Sequence, residues 1–334
     1  MRANHVTVVI PCYRVPPSVI QLVKETVEFV DRVIVVDDAC PNKTGELIRS
    51  VFPDDPRVVV LHNKHNSGVG GATIRGYLEA MNLGTDIIVK VDGDGQMNPK
   101  YIRRLIHPIV IGKADFTKAN RFYDREALNS MPLIRRVGNI CLSVICKAVT
   151  GFWHLSDPTN GFTAIHAKAL KQVNLHKIYR DYFFEISMLI RLNTIRATTM
   201  DVPVPAFYGS ETSSLKIREI LMSFPFHLIR GLGARMFWRY LIYDINAVTI
   251  FLVMGSIFFG VGFAWGLYHW ITSINTGVTQ TAGTVAIAFL PMILGFQMLL
   301  QALLLDVIDK PSHLISHQIE DSDPIEDQPD RRDT

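Results

Sequence analysis

The sequence predicts an α/β domain with a mainly parallel sheet, followed by interfacial helices and two transmembrane helices. Two observations carry this expectation. Short, apolar, β-rich runs alternate with stretches of helical spacing along the earlier part of the chain, as expected for strands covered by helices on both faces. Later, Val248 to Trp270 and about Thr284 to Leu305 contain no Asp, Glu, Lys or Arg, and each is long enough to cross a bilayer as a helix.

Taken in order, the strand candidates are Val6 to Ile10, Arg32 to Val36, Val58 to Leu61, Ile87 to Val91 and Phe116 to Ala119. Between them Val19 to Val30, Thr44 to Val51, Ala72 to Leu83 and Tyr101 to Ile111 repeat apolar residues at helical spacing, with Pro99 placed to start the last. From Leu215 to Tyr243, Lys and Arg are mixed with Phe224, Phe226, Leu228, Phe237, Trp238 and Tyr240. That composition suits helices in a membrane interface, although an amphipathic helix packed on a core has the same pattern. The domain boundaries follow: 1–214 an α/β catalytic domain, 215–246 juxtamembrane helices, 247–308 a two-helix anchor, and 309–334 an acidic tail expected to be disordered.

The two apolar stretches exceed the length of an ordinary core helix, which favours a membrane hairpin over a buried one. Lys216, Arg218, Arg230, Arg235 and Arg239 precede the first stretch, whereas Ile271 to Thr281 carries no charge. The positive-inside rule therefore puts the catalytic domain and both termini in the cytoplasm of a multi-pass protein of the inner or plasma membrane. Val6 to Ile10 is too short for a signal core. Cys12, Cys40, Cys141 and Cys146 show no C-x-x-C spacing, so neither a zinc site nor a disulfide framework is expected. A net charge of +3 is too mild to argue for nucleic acid, and an anionic membrane face is the better-matched partner.

The chemistry is concentrated in Val91-Asp92-Gly93-Asp94-Gly95-Gln96. Carboxylates two positions apart share one side of an extended backbone, and the loop follows a strand at the end where open α/β sheets bind ligands. Hard oxygen donors suit Mg²⁺ or Mn²⁺ shared with substrate phosphates, which points to a nucleotide-activated substrate. A plain Asp-Gly turn has the same composition. Other strand candidates also end in polar features: Pro11-Cys12-Tyr13, Asp37-Asp38, and Asn66-Ser67-Gly68-Val69-Gly70-Gly71-Ala72.

Together these segments resemble the family 2 inverting glycosyltransferases of GT-A fold, in particular the branch of dolichol-phosphate mannose synthase and the bacterial polyprenyl-phosphate glycosyltransferases. The resemblance covers about residues 5 to 215, and the two-helix anchor is similar to that of the bacterial members. It implies that Pro11, Tyr13 and Asp38 line a nucleoside pocket, with Asp38 accepting from the base. Asp92 would face ribose or donor sugar, while Asp94 and Gln96 would hold the metal on the diphosphate. Arg14-Val15 stand where the family often has Asn-Glu, and Asp37-Asp38-Ala39-Cys40-Pro41 replaces a common Asp-Asp-Gly-Ser run. Both departures bear on donor identity more than on the reaction class.

Ser156-Asp157-Pro158-Thr159-Asn160-Gly161-Phe162 is similar to the family segment beside the acceptor, which makes Asp157 the candidate general base; an Asp-Pro turn is the competing account. A phosphate acceptor is already anionic at neutral pH, so Asp157 would then orient more than deprotonate. Lys118, Arg121, Arg125, Arg135 and Arg136 supply positive charge nearby in sequence, of which Arg121, Arg135 and Arg136 are the acceptor-phosphate candidates beside solvated surface charge. Arg180 to Glu185 and Tyr208 to Lys216 look like further family segments, the second at a mobile acceptor loop, where Lys216 would meet the lipid phosphate or the membrane surface.

The expected function is inverting transfer of one sugar from a UDP- or GDP-sugar to a polyprenyl phosphate (undecaprenyl or dolichyl), with Mg²⁺ or Mn²⁺, for a cell-envelope glycan. The rival expectations are a transferase acting on a glycan or lipid-linked hydroxyl and a non-catalytic membrane scaffold. Expected partners are the nucleotide sugar, the polyprenyl phosphate and the bilayer, with a separate flippase because two spans are too few for a translocation path. A homo-oligomer is also expected; Gly255, Gly260 and Gly262 permit close helix contacts within or between protomers.

Overall fold

The computed structural model describes residues 4–121, 133–205, 217–311 and 313–318, with backbone alone for 133–137, 139, 217–223 and 317–318. Two compact units emerge, Met1–Ile229 with Pro311–Thr334, and Arg230–Lys310.

The first unit is built on a seven-stranded sheet: β1 Val6–Cys12, β2 Arg32–Asp37, β3 Val58–His62, β4 Ile87–Lys90, β5 Phe116–Asn120, β6 Thr163–His166 and β7 Thr199–Pro203. Their order is β3-β2-β1-β4-β6-β5-β7. Only β6 runs antiparallel, to both β4 and β5. Helices α1 Val19–Val27, α2 Thr44–Val51, α3 Gly68–Asn82, α4 Ile102–Val110, α5 Leu133–Thr150, α6 Ala167–Gln172, α7 Phe184–Thr194 and α8 Ile217–Met236 follow in chain order between and after the strands.

The period-2 geometry of strands explains the continuous apolar runs. Val8, Ile10, Val33, Val35 and Val89 join Leu22, Leu105 and Ile109 in one core layer, whereas Val9, Ile34, Val36 and Ile88 join Ala72, Tyr77 and Leu189 in the other. All five expected strands form. Helix α3 starts at Gly68, four residues before the expected Ala72, so the glycine run becomes its first turn.

Part of the expected disordered tail is a correction. Ile315 is 8% exposed within the second core layer, and the buried Asp115 carboxylate accepts the backbone N–H groups of Ile315 and Ser316, both at 3.1 Å, and of Thr198 at 3.0 Å. One apolar residue with a carboxylate to receive its amides is enough to seat this short stretch. Asp115→Ala strands those donors and is expected to lower stability by about 2–4 kcal/mol, read as a reduced denaturation midpoint of the detergent-solubilised protein.

The second unit is a helical hairpin of α9 Ala247–Thr276 and α10 Ala282–Ile308. Asn246 and Thr281 cap their N-termini. Both described helices have the length and composition of membrane spans, and the exposed Ile250, Ile257, Phe263, Leu290 and Leu304 suit lipid as solvent. Gly255 and Gly262 serve the hairpin itself: a Cβ on Gly262 would lie 2.6 Å from the Ala288 carbonyl oxygen, and one on Gly255 3.0 Å from that of Gly295. Gly260 faces open space.

Near the ends of the hairpin lies a buried charge cluster. Arg235 donates to Asp306 at 2.7 and 2.9 Å, Tyr240 donates its hydroxyl to the same carboxylate, and Arg239 donates to Asp309 at 2.6 Å. Arg235, Arg239 and Asp306 are each 1% exposed.

Candidate active site

The carboxyl ends of the parallel strands β1, β2, β3 and β4 lie at one edge of the sheet, where the crossover geometry leaves loops free to bind ligands. Cys12 at the end of β1 pairs with Asp37 at the end of β2. Pro11 is buried in β1, while Tyr13 is 40% exposed, with the Arg14 guanidinium 5.3 Å from its ring centroid. Arg14 itself has φ 53° and gives its backbone N–H to Cys40 Sγ at 3.2 Å, which ties the first loop to the second.

The adjacent carboxylates of the second loop have separate tasks. Asp37 accepts from the backbone of Cys40 and Gly45, each at 2.7 Å, closing the turn into α2. Asp38, 1% exposed, receives Asn63 Nδ2 at 2.5 Å and Ser67 Oγ at 2.7 Å on Oδ1, with the Ser67 N–H shared between its two oxygens. It thus braces the glycine loop.

In the acidic loop, Asp92 and Asp94 differ in surroundings. Asp94 is half-buried and accepts the Gln96 N–H at 3.0 Å, in a loop that turns at Gly95 with φ 77°. Asp92 receives the ammonium of Lys90, whose other partner is Glu185 at 3.1 Å. Burial alone would lower the Lys90 ammonium, but Asp92 and Glu185 outweigh it and hold the group above its ordinary range. Among the described residues no three of His, Cys, Asp and Glu converge on a metal position. The donor chemistry of Asp94 and Gln96 nevertheless fits Mg²⁺ or Mn²⁺, which are held by one or two carboxylates while diphosphate oxygens and water complete the shell.

The Asp157 loop reaches the same edge. Asp157, 1% exposed, takes Arg121 Nε at 2.7 Å on one oxygen and the Arg121 terminal nitrogen at 3.1 Å on the other, with Asn160 Nδ2 at 3.3 Å. Asp201 on β7 pins the loop through the Ser156 N–H at 2.7 Å. Lys118, wholly buried in β5, donates to the Asn160 carbonyl, and burial, partly offset by Glu185 and Asp157, pushes it down to about 8. Gly161 closes against the acidic loop: a Cβ there would lie 2.1 Å from Asp92 Oδ2, so only glycine permits the approach.

The structure therefore pairs Asp157 with Arg121, two residues given separate tasks from sequence, and gathers Asp38 with the glycine loop. Arg135 and Arg136 are described as backbone in α5, and Arg125 and Lys216 lie outside the described residues. Sequence reasoning gave no role to Lys90, and reached Glu185 only as the end of the Arg180 to Glu185 segment. The available signal was a lone lysine ending an apolar central strand, since a buried charge needs a partner.

Residues 7–173 match the family model described as glycosyl transferase family 2. A UDP-N-acetylglucosamine–dolichyl-phosphate N-acetylglucosaminyltransferase of Methanococcus voltae is 28% identical over 206 residues, 58% of this chain and 81% of that protein. An undecaprenyl-phosphate mannosyltransferase of Micrococcus luteus is 30% identical over 173 residues, 52% of this chain and 70% of that protein. Among solved structures, glucosyl-3-phosphoglycerate synthase of Mycobacterium tuberculosis, in complex with Mn²⁺, UDP-glucose and phosphoglyceric acid, aligns with TM-score 0.51 at 16% identity, covering 70% of this chain and 79% of that one. At that identity the likeness is one of fold, and the first unit has the GT-A architecture.

Proposed function

The chain belongs to glycosyl transferase family 2, and we propose that it moves one sugar from a UDP- or GDP-sugar to a polyprenyl phosphate at the cytoplasmic face of the membrane, with inversion at the anomeric carbon. The named activities of the Methanococcus and Micrococcus relatives support a lipid-phosphate acceptor, and the apolar hairpin supports a substrate met at the bilayer. The basic residues before α9 support the cytoplasmic orientation.

The observation that carries this reading is the state of Asp157. Its carboxylate is buried and both oxygens accept hydrogen bonds from Arg121, which leaves little room for an acceptor hydroxyl to approach and hand over a proton. A neutral hydroxyl acceptor needs a base; a phosphate monoester brings its own anionic oxygen. The acceptor oxygen attacks the anomeric carbon, the bond to the nucleoside diphosphate breaks, and the diphosphate leaves with the electron pair. Arg121, its fork aligned by Asp157, orients the acceptor phosphate. Tyr13, Pro11 and Asp38 receive the nucleoside, and Asp92 meets the ribose or donor sugar. A Mg²⁺ or Mn²⁺ held by Asp94 and Gln96 would neutralise charge on the departing diphosphate.

Asp157→Asn tests the acceptor class. Asparagine still offers an oxygen to Arg121, so transfer is expected to fall no more than about tenfold, whereas loss of a general base costs about 10²–10⁴-fold. A loss in the latter range, with Arg121→Gln nearly silent, would transfer the weight to a hydroxyl acceptor.

A further inference from the structure

Lys90 ends a strand whose other residues, Ile87, Ile88 and Val89, are apolar, and it is 0% exposed. An ammonium in that position is strongly unfavourable unless fully paired. Its pairing is divided: Asp92, two residues on, keeps 29% side-chain exposure toward the loop edge, whereas Glu185, in the first turn of α7, is 14% exposed and 95 residues away in sequence. The Phe184 ring lies beneath, its centroid 6.0 Å from Nζ.

Asp92 is thereby fixed from several sides. Lys90 holds Oδ1, the Gly161 backbone closes on Oδ2, and its own N–H is turned to Met97 Sδ at 3.3 Å. A carboxylate at a turn needs none of this, and an ion pair serving only to attach α7 to the sheet would not have to reach a partly open loop residue. We propose that Lys90 and Glu185 are positioning residues for sugar transfer: Lys90 sets the direction of the Asp92 side chain toward the donor, and Glu185 sets Lys90. This rests on the proposed reading in taking Asp92 to meet the donor.

A double-mutant cycle on the full-length protein in detergent separates positioning from plain structural support. Lys90→Met is expected to lower kcat/KM by about 10–100-fold and Glu185→Gln by about tenfold, as for residues that orient a functional group. In an Asp92→Asn background each is expected to add less than about threefold, because the group they orient is already gone. Folded variants with wild-type turnover, or losses that multiply through the Asp92→Asn background, overturn the inference. Should Lys90→Met fail to fold, the isosteric Glu185→Gln arm decides alone. Wild-type protein that transfers no sugar to lipid phosphate overturns the underlying reading, an outcome distinct from active wild type with unmoved variants.

Discussion

Asp94→Ala is expected to lower metal-dependent sugar transfer by at least about a hundredfold, the range seen when one preorganised electrostatic contact to developing charge is lost. The effect should be large because Asp94 is a half-buried carboxylate of the acidic loop, and Mg²⁺ or Mn²⁺ bound with a diphosphate draws on only one or two protein carboxylates. Stability should hardly change, since the side chain sits at a loop tip outside both core layers. Turnover titrated against Mn²⁺, beside a thermal melt of the same preparation, checks both halves. A variant with near-wild-type activity at every Mn²⁺ concentration would remove Asp94 from the donor site.

Asp306→Ala is expected to have the largest effect on stability, about 3–5 kcal/mol, the cost of leaving a buried charge without its partner. Arg235 would lose two bonds of 2.7 and 2.9 Å, and the Tyr240 hydroxyl would lose its acceptor. Burial already pushes the Tyr240 phenol up, so ionisation offers no relief. Denaturant titration of the detergent-solubilised protein measures the loss. Replacing both partners, Arg235→Met with Asp306→Leu, should recover most of it, because two apolar groups of similar volume remove the desolvation cost as well as the attraction. A single variant within about 1 kcal/mol of wild type, the scale of an exposed ion pair, would mean that the cluster contributes no clamp.

The legible part of the fold was the part buried on both sides. Strands β1, β2 and β4 are continuous apolar runs because helices cover both faces, and the two C-terminal apolar helices are longer than an ordinary core helix. Strand β6 was missed because Thr163-Ala164-Ile165-His166 is four residues with mixed character. Strand β7 carries Asp201 and ends in Pro203, features an edge strand tolerates and a sequence pattern discourages. The seated Ile315 stretch was hidden by the acidic composition around it.

The candidate site residues Asp92, Asp94, Asp38, Asp157 and Arg121 were picked out by their local sequence surroundings. Their partners were not. The Lys90 to Glu185 contact joins residues 95 apart in sequence, Asp157 meets Arg121 across 36, and Arg235 meets Asp306 across 71. Such pairings are set by how strands and helices are ordered in space, and no local pattern encodes them. Asp157, read from sequence as a base or an orienting group, has Arg121 on both of its oxygens, a neighbour that its own segment does not announce.

The most direct test is transfer of radiolabel from a panel of UDP- and GDP-sugars to undecaprenyl phosphate by the purified protein, with Mn²⁺, Mg²⁺ or EDTA, scored by counts extracted into organic solvent. The account predicts label from one donor in the organic phase, lost with EDTA and with Asp94→Ala. Label that reaches undecaprenol or a glycan hydroxyl while undecaprenyl phosphate stays unlabelled would contradict it.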